Sequence, residues 1–402
     1  MKAAEFLSEI ESEYRLTFQE KKRLETMVGD LIQWGEDPRE FWNPELAGKA
    51  IGKTAVKKVL DGFTRRYEAV RSAEKHYGAP PPFRPMPFEC VSVQGKTKII
   101  GRCPVYSPKT RCCGLLTLDA VMQCGFDCTY CSIQSFYHGN RVAFRSDLRE
   151  RLAEWEKEIE PNRLYHIGTG QSSDSLMWGN RDGILEALFE FARRHPNVLL
   201  ELKTKSDRVS ELCALSPPIN VFATWSLNTQ SVILNEERLT AALPQRLEAA
   251  RRAADSGIRV GFHFHPIVWY RGWQEEYGAA VRRITELFSP EETVTVSLGT
   301  LTFIKSVMRR IRERGELTKI LQMETEEIAG KFSYPYDRKK ELFRTVYDFF
   351  PDSWKKSVFF YLCMEDGRLW NDVFGFEYST NEEFEDAMKT AYKKKLFGEA
   401  DG

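Results

Sequence analysis

Between residues 115 and 301 the chain alternates short apolar runs with amphipathic stretches, and this alternation limits its fold more than any other feature. The runs are Leu115–Met122, Leu164–Gly170, Val198–Lys205, Val221–Leu227, Val260–Ile267 and Val294–Leu301. Each has the length of a buried strand, and patterns of helical period separate most of them. Repeated strand–helix units predict an α/β fold in which a parallel sheet curls into a partial (β/α)6 TIM-type barrel, short of the eight units of a closed one. In such barrels chemistry gathers at the loops that follow the strands.

The flanks read differently. Residues 1–77 form an N-terminal helical region, with Phe6, Ile10 and Tyr14 recurring at helical spacing among charged neighbours. The stretch from Gly78 to Pro87 is too rich in proline to continue a helix, since proline lacks the amide donor and restrains its predecessor. Residues 78–114 are therefore a linker and cysteine-bearing lead-in, 115–304 the barrel, and 305–402 a C-terminal α/β extension packed on it. That extension has a further apolar strand at Val358–Cys363 and a charged helix from about Asn381.

With 402 residues, 42% of them hydrophobic, the chain can bury a full core. It begins without a secretory-type apolar stretch, and no apolar run nears the roughly 18 residues of a membrane span, so a cytoplasmic protein without membrane contact is expected. Nine cysteines, an odd number, favour reduced thiols and a metal centre over a disulfide framework. The formal net charge is zero, so nucleic acid could be met only through a local patch. Lys305 to Lys319 is the best such patch, and it reads equally well as a solvated helix face.

Cys124, Cys128 and Cys131 space three sulfurs as C-x3-C-x2-C just after the first strand. Three thiolates suit three corners of a [4Fe–4S] cluster and leave the fourth iron open to a small molecule, at this spacing most often S-adenosylmethionine. Tyr130 places a ring beside that iron, where an adenine could pack. The alternative is a zinc site completed by His138, although zinc sites usually present two cysteine pairs.

Around the expected rim, Gly168 and Gly170 lack side chains and let a ligand approach the backbone, with Gln171 and Ser173 just beyond. Lys203 and Lys205 share one face of their strand and could pair with a cofactor carboxylate; Ser226 and Asn228 offer polar groups at the same edge. His263 and His265 also share a face. They suit substrate contact or proton shuttling by His265, a hydrogen-bonded core pair, or a zinc hydrolase. Cys103, Cys112 and Cys113 could help hold a second metal, but neighbouring cysteines rarely ligate one ion together, and buried inert thiols are common.

Taken in order, these motifs resemble the radical S-adenosylmethionine enzymes, and within them the spore photoproduct lyase family. The resemblance rests on Cys124-Gly-Phe-Asp-Cys-Thr-Tyr-Cys131, Glu201-Leu-Lys-Thr-Lys-Ser206, Trp225-Ser-Leu-Asn228, the run from Arg246 to Asp255, Gly261-Phe-His-Phe-His-Pro266, Gly272-Trp273 and Ser297-Leu-Gly-Thr300. It implies a [4Fe–4S] cluster on the triplet and S-adenosylmethionine on the open iron, with Lys205 and Ser226 touching it. It further implies a 5′-deoxyadenosyl radical, a thymine photolesion in damaged DNA as substrate, and a reductant such as flavodoxin or ferredoxin. The family places a hydrogen-donating cysteine where this chain has Gln171, and a tyrosine after the third cluster cysteine where it has Ser132. A different substrate for the same radical chemistry, or a metal-cluster protein without turnover, is the remaining expectation.

Overall fold

Eight strands make the central sheet: β1 (Ile100–Arg102), β2 (Leu116–Leu118), β3 (Tyr165–Thr169), β4 (Val198–Thr204), β5 (Val221–Leu227), β6 (Val260–Ile267), β7 (Thr293–Thr300) and β8 (Phe359–Leu362). Their order in the sheet follows their order in the chain. All neighbours are parallel except β1 and β2. In β5 and β7 every residue is buried, because the sheet is covered on both faces, which is why these strands read as continuous apolar runs. The computed structural model describes residues 3 to 398 apart from Arg84, Met86, Pro104, Val105, His138 and Ala329. The histidine considered as a fourth zinc ligand, and two positions of the proline-rich boundary, thus lie outside the described residues.

Two strands depart from the sequence reading. The run Leu115–Met122 splits: Leu116–Leu118 pairs with β3, whereas Val121–Met122 turns away to pair antiparallel with Arg141–Arg145 in a small second sheet. The break falls at Asp119, whose carboxylate takes the Ser172 hydroxyl and whose amide bonds the Ile99 carbonyl. The run Val358–Cys363, read as part of the extension, pairs with β7 and forms the last parallel strand of the barrel.

The concave face of this sheet is not empty. The terminal helix Asn381–Phe397 packs against β4, β7 and β8 and buries Phe384, Met388, Tyr392 and Leu396. Tyr392 meets the rings of His166, Phe222 and Phe359.

The N-terminal helices Ala3–Glu13, Phe18–Trp34 and Gly52–Ser72 enclose their own core of Leu24, Val28, Leu31 and Phe63. Thr17 starts the second helix with a reciprocal capping box to Glu20. This bundle docks through Asp30, which is fully buried and accepts from Arg312 Nε at 2.7 Å, Arg312 Nη2 at 3.0 Å and the Tyr67 hydroxyl at 2.8 Å. No described helix is long and apolar enough to cross a membrane.

Candidate active site

The strands β3 to β8 all end on one cavity of about 300 Å³. Its wall takes Cys124, Cys128, Tyr130 and Cys131 from the loop after Met122, Gly170, Gln171 and Ser173 after β3, and Lys203 and Lys205 at the end of β4. Ser226 of β5, His265 of β6 and Thr300 of β7 complete that side. Residues spread over more than 170 positions are thus brought to one rim, as the barrel topology demands.

The cysteine loop is fastened at both ends. Cys128 bridges Glu237 in the main chain, and the Thr129 amide donates to the Glu236 carbonyl at 2.9 Å. Gln134 donates to the carbonyls of Thr129 at 2.9 Å and Cys131 at 3.0 Å, and Asp127 accepts from Arg314 at 2.5 Å. At Gly125 a Cβ would come within 2.6 Å of the Met177 methyl and 2.9 Å of the Trp178 ring, so any larger residue would force those side chains to shift. The amide of Phe126 points at Cys124 Sγ from 3.4 Å.

Glu236 is the knot of this region. Its carboxylate receives the hydroxyls of Thr129, of Thr318 at 2.6 Å and of Tyr77 at 3.1 Å, and the Lys319 amide at 3.0 Å. One buried side chain therefore joins the cysteine loop, the segment after the Lys305–Arg314 helix, and the end of the N-terminal region.

Glu237 beside it does electrostatic work. It takes the Tyr130 hydroxyl and pairs with Arg246 Nη2 at 2.5 Å, both partners of that ion pair being buried. Burial pushes this carboxyl up, but Arg246 and Lys205 outweigh it and hold it down at about 2. Lys205 lies 3.9 Å from Cys128 Sγ, with its Nζ 5.0 Å from the centre of the Tyr130 ring. Burial works against its charge, yet Cys128 and Glu237 raise its pKa. Burial also lifts the Cys124 thiol well above its ordinary value and that of Cys128 to about 12, and a metal, if bound, would displace these protons. Three thiols on one cavity wall and a cation beside one sulfur fit a thiolate-bound cluster.

Gly170 adopts φ +86°, and a Cβ there would sit 2.5 Å from the Lys203 carbonyl. The turn is held by Asp174, absent from the sequence reading, which accepts from the amides of Leu176 at 3.0 Å, Met177 at 2.9 Å and Lys205 at 2.7 Å and from Thr204 Oγ1 at 2.7 Å. Ser173 Oγ accepts from the Trp178 indole at 3.1 Å. Gln171 and His265 face the cavity; burial, reinforced by Lys203, drops the imidazole of His265 to about 3 and keeps it neutral. Gly168 and Asn228 stand behind the wall. Gly168 packs on Leu115, and Asn228 is fully buried, donating to the Pro266 carbonyl at 2.9 Å and accepting from the Tyr277 hydroxyl at 2.6 Å. Tyr137, also unforeseen, brings its hydroxyl to 3.8 Å from Cys131 Sγ.

One layer deeper, His263 gives one ring nitrogen to Glu201 at 2.7 Å and the other to Ser297, and Glu201 also meets His166 at 2.8 Å. Both nitrogens of His263 are occupied, so it has none for zinc and belongs to a hydrogen-bonded core group. Among the described residues, no three His, Cys, Asp or Glu side chains converge closely enough to grip a single metal ion.

The Lys305–Lys319 segment is less open to phosphates than its composition suggests. Arg312 is committed to Asp30, Arg314 to Asp127 and Glu316, Arg309 to Glu313 and Lys305 to Glu327. Of this helix's cations, Arg310 alone has no ion pair among the described residues.

A partial parallel barrel with three cysteines, a lysine and a neutral histidine on one rim cavity is the arrangement of a radical S-adenosylmethionine enzyme. A profile of the family described as "Spore photoproduct lyase" matches residues 117–357, more than half the chain. The chain belongs to the spore photoproduct lyase family, a family of radical S-adenosylmethionine lyases. It is 25% identical over 233 residues to the spore photoproduct lyase of Clostridium acetobutylicum, covering 55% of this chain and 68% of that one. To the Bacillus subtilis spore photoproduct lyase it is 29% identical over 249 residues, covering 57% and 72%. A solved spore photoproduct lyase complexed with dinucleoside spore photoproduct superposes with a TM-score of 0.56 at 19% identity, covering 67% of this chain and 82% of that one. A mutant of such an enzyme with bound AdoMet and dinucleoside spore photoproduct gives 0.55 at 19%, covering 68% and 81%.

Proposed function

We propose that Cys124, Cys128 and Cys131 hold a [4Fe–4S] cluster at which S-adenosylmethionine binds, and that the enzyme acts in the cytoplasm on a thymine photolesion in DNA. The observation that carries this reading is the meeting of the triplet with Lys205, Ser226, Gly170 and His265 on one cavity. When bound and reduced by a flavodoxin or ferredoxin, the cluster and cofactor supply a 5′-deoxyadenosyl radical. The protein's own part is to bind, orient and exclude water. Lys205 pairs with the cofactor carboxylate, the open backbone at Gly170 receives its amino group, Ser226 and Ser173 hydrogen-bond it, and Tyr130 packs on the adenine. His265, neutral, and Gln171 face the substrate. A lesion must leave the helix to reach them, at a cost of roughly a few kcal/mol, less for a base already poorly stacked.

Gln171 favours a second reading, the same radical chemistry on another substrate, because an amide does not surrender a hydrogen atom to a carbon radical.

The test is anaerobic. Protein reconstituted with iron and sulfide should be brown, and with dithionite and S-adenosylmethionine should yield 5′-deoxyadenosine, whereas Cys128→Ala should yield none. Thymine released from dinucleoside spore photoproduct supports photolesion repair; 5′-deoxyadenosine without thymine supports the second reading. A colourless protein with no 5′-deoxyadenosine rejects both.

A further inference from the structure

The wall of the rim cavity carries three lysines, Lys203, Lys205 and Lys331, and one carboxylate, Asp174. That carboxylate is already occupied, since the amides of Leu176, Met177 and Lys205 and the Thr204 hydroxyl all donate to it. Lys205 turns towards Cys128 and feels Glu237. Lys203 stands two residues earlier on the same face of β4, half-buried, where its charge is felt by His265 of β6 and by Cys363 just past β8. Among the described residues its ammonium makes no hydrogen bond and no ion pair. The buried carboxylates of this region have other partners: Glu201 has two histidines and Thr224, and Glu365 has the Lys339 ammonium at 2.8 Å. Lys331 reaches the wall from the strand Lys331–Ser333, its Nζ 3.9 Å from the sulfur of Met364, the neighbour of Cys363.

We propose that Lys203 binds an oxyanion of the substrate, a phosphate if that substrate is the photolesion, with Lys331 adding charge to the same subsite. A half-buried ammonium is costly to hold without a counter-charge, so a cavity that keeps one is matched to a ligand that brings it. S-adenosylmethionine does not meet that need. It offers one carboxylate, for which Lys205 is the proposed partner, and its sulfonium adds positive charge. The cluster proposed on the triplet likewise has Lys205 as its neighbouring cation. What remains for Lys203 is the substrate, whose uncharged bases could not fill the role and whose phosphodiester could. A lysine is a compact point charge on a flexible stem and accepts phosphate or carboxylate alike. The place of the cofactor here rests on the radical-site reading, and the choice of phosphate over carboxylate rests on the photolesion.

Binding tests this without recourse to activity. Anaerobically reconstituted protein, given S-adenosylmethionine and left unreduced, is titrated calorimetrically with two forms of spore photoproduct: the dinucleotide, which keeps the phosphate between its nucleosides, and the dinucleoside, which lacks it. Wild type should bind the dinucleotide about 10- to 100-fold more tightly, the equivalent of one charge-assisted hydrogen bond, and the preference should shrink with added salt. Lys203→Met should bring the two affinities together, Lys203→Arg should keep them apart, and both variants should bind S-adenosylmethionine as wild type does. Without ligand, Lys203→Met should melt no lower than wild type, because its ammonium has no partner to lose. Equal affinities in wild type, a preference that survives Lys203→Met, or weaker S-adenosylmethionine binding in Lys203→Met would overturn the proposal. If the protein takes up no iron, or binds neither form, the proposed function fails on its own, and inorganic phosphate and acetate then probe the subsite. Saturable binding of either ion that vanishes in Lys203→Met upholds it, and tells phosphate from carboxylate; binding that is absent, or independent of Lys203, overturns it.

Discussion

Lys205 holds its ammonium 3.9 Å from the sulfur of Cys128, so the charge proposed to attract the cofactor carboxylate also stands next to a thiol proposed to hold the cluster. Lys205→Met should therefore raise the dissociation constant for S-adenosylmethionine roughly 10- to 100-fold, the equivalent of one charge-assisted hydrogen bond of about 1.5–3 kcal/mol. Iron content should stay at the wild-type level. Anaerobic equilibrium dialysis reads the first, a colorimetric iron assay the second, and unchanged affinity would remove Lys205 from the cofactor site.

Glu237→Gln leaves Arg246 buried without its counter-charge. Breaking one partner of a buried pair costs about 3–5 kcal/mol, and the urea midpoint should fall accordingly with little change in slope. A midpoint shift worth less than about 1 kcal/mol would mean that Arg246 finds solvent or another acceptor.

Gly170→Ala combines a φ of +86° with a Cβ placed 2.5 Å from the Lys203 carbonyl, and backbone cannot step aside as a side chain can. A loss of roughly 1–3 kcal/mol is expected in urea unfolding. Gly168→Ala, which meets only the flexible Leu115 side chain at 3.1 Å, should cost less. Equal losses would contradict the geometry.

Lys75 is fully buried where the N-terminal region meets the barrel, near the Tyr334 hydroxyl and the Trp269 carbonyl, both 3.4 Å away. Burial lowers its pKa from 10.5 to about 7. In the window between these values the unfolded chain binds the extra proton, so stability contributed by this site rises with pH from about 7 towards 10.5. Lys75→Met removes that slope: its melting temperature relative to wild type should be highest near pH 6.5 and decline by pH 9. A difference independent of pH would show that Lys75 is not neutral in the folded protein.

The strands were legible where periodicity and burial agree. Val221–Leu227 and Val260–Ile267 end where their runs end, since both faces are covered and nothing interrupts them. Leu115–Met122 misled because one apolar run serves two sheets, and the polar Asp119 between the halves was the available signal. That the triplet, Lys205 and Ser226 share one cavity wall could be read because motif spacing and strand phase fix their positions locally. Asn228 could not be separated from Ser226, as both end one strand and only the packing of Tyr277 shows that the asparagine looks inward. Asp174 and Glu237 escaped because they serve partners distant in the chain, Asp174 taking Thr204 and Lys205, 30 and 31 positions on, and Glu237 taking Tyr130, 107 positions back, beyond the reach of any local pattern. Glu201 had a cue: a carboxylate inside the apolar run from Val198 to Leu202 must find a partner, and it finds two histidines.

The knot at Glu236 gives the N-terminal bundle a say in the catalytic loop. Because one carboxylate grips Tyr77 and Thr129 at once, a disturbance that unseats the first seventy-odd residues should be felt at the cysteines as slack, even though none of those residues touches the cavity. Proteolytic trimming at that end would thus register as faster bleaching of the proposed cluster in air, long before the barrel itself came apart.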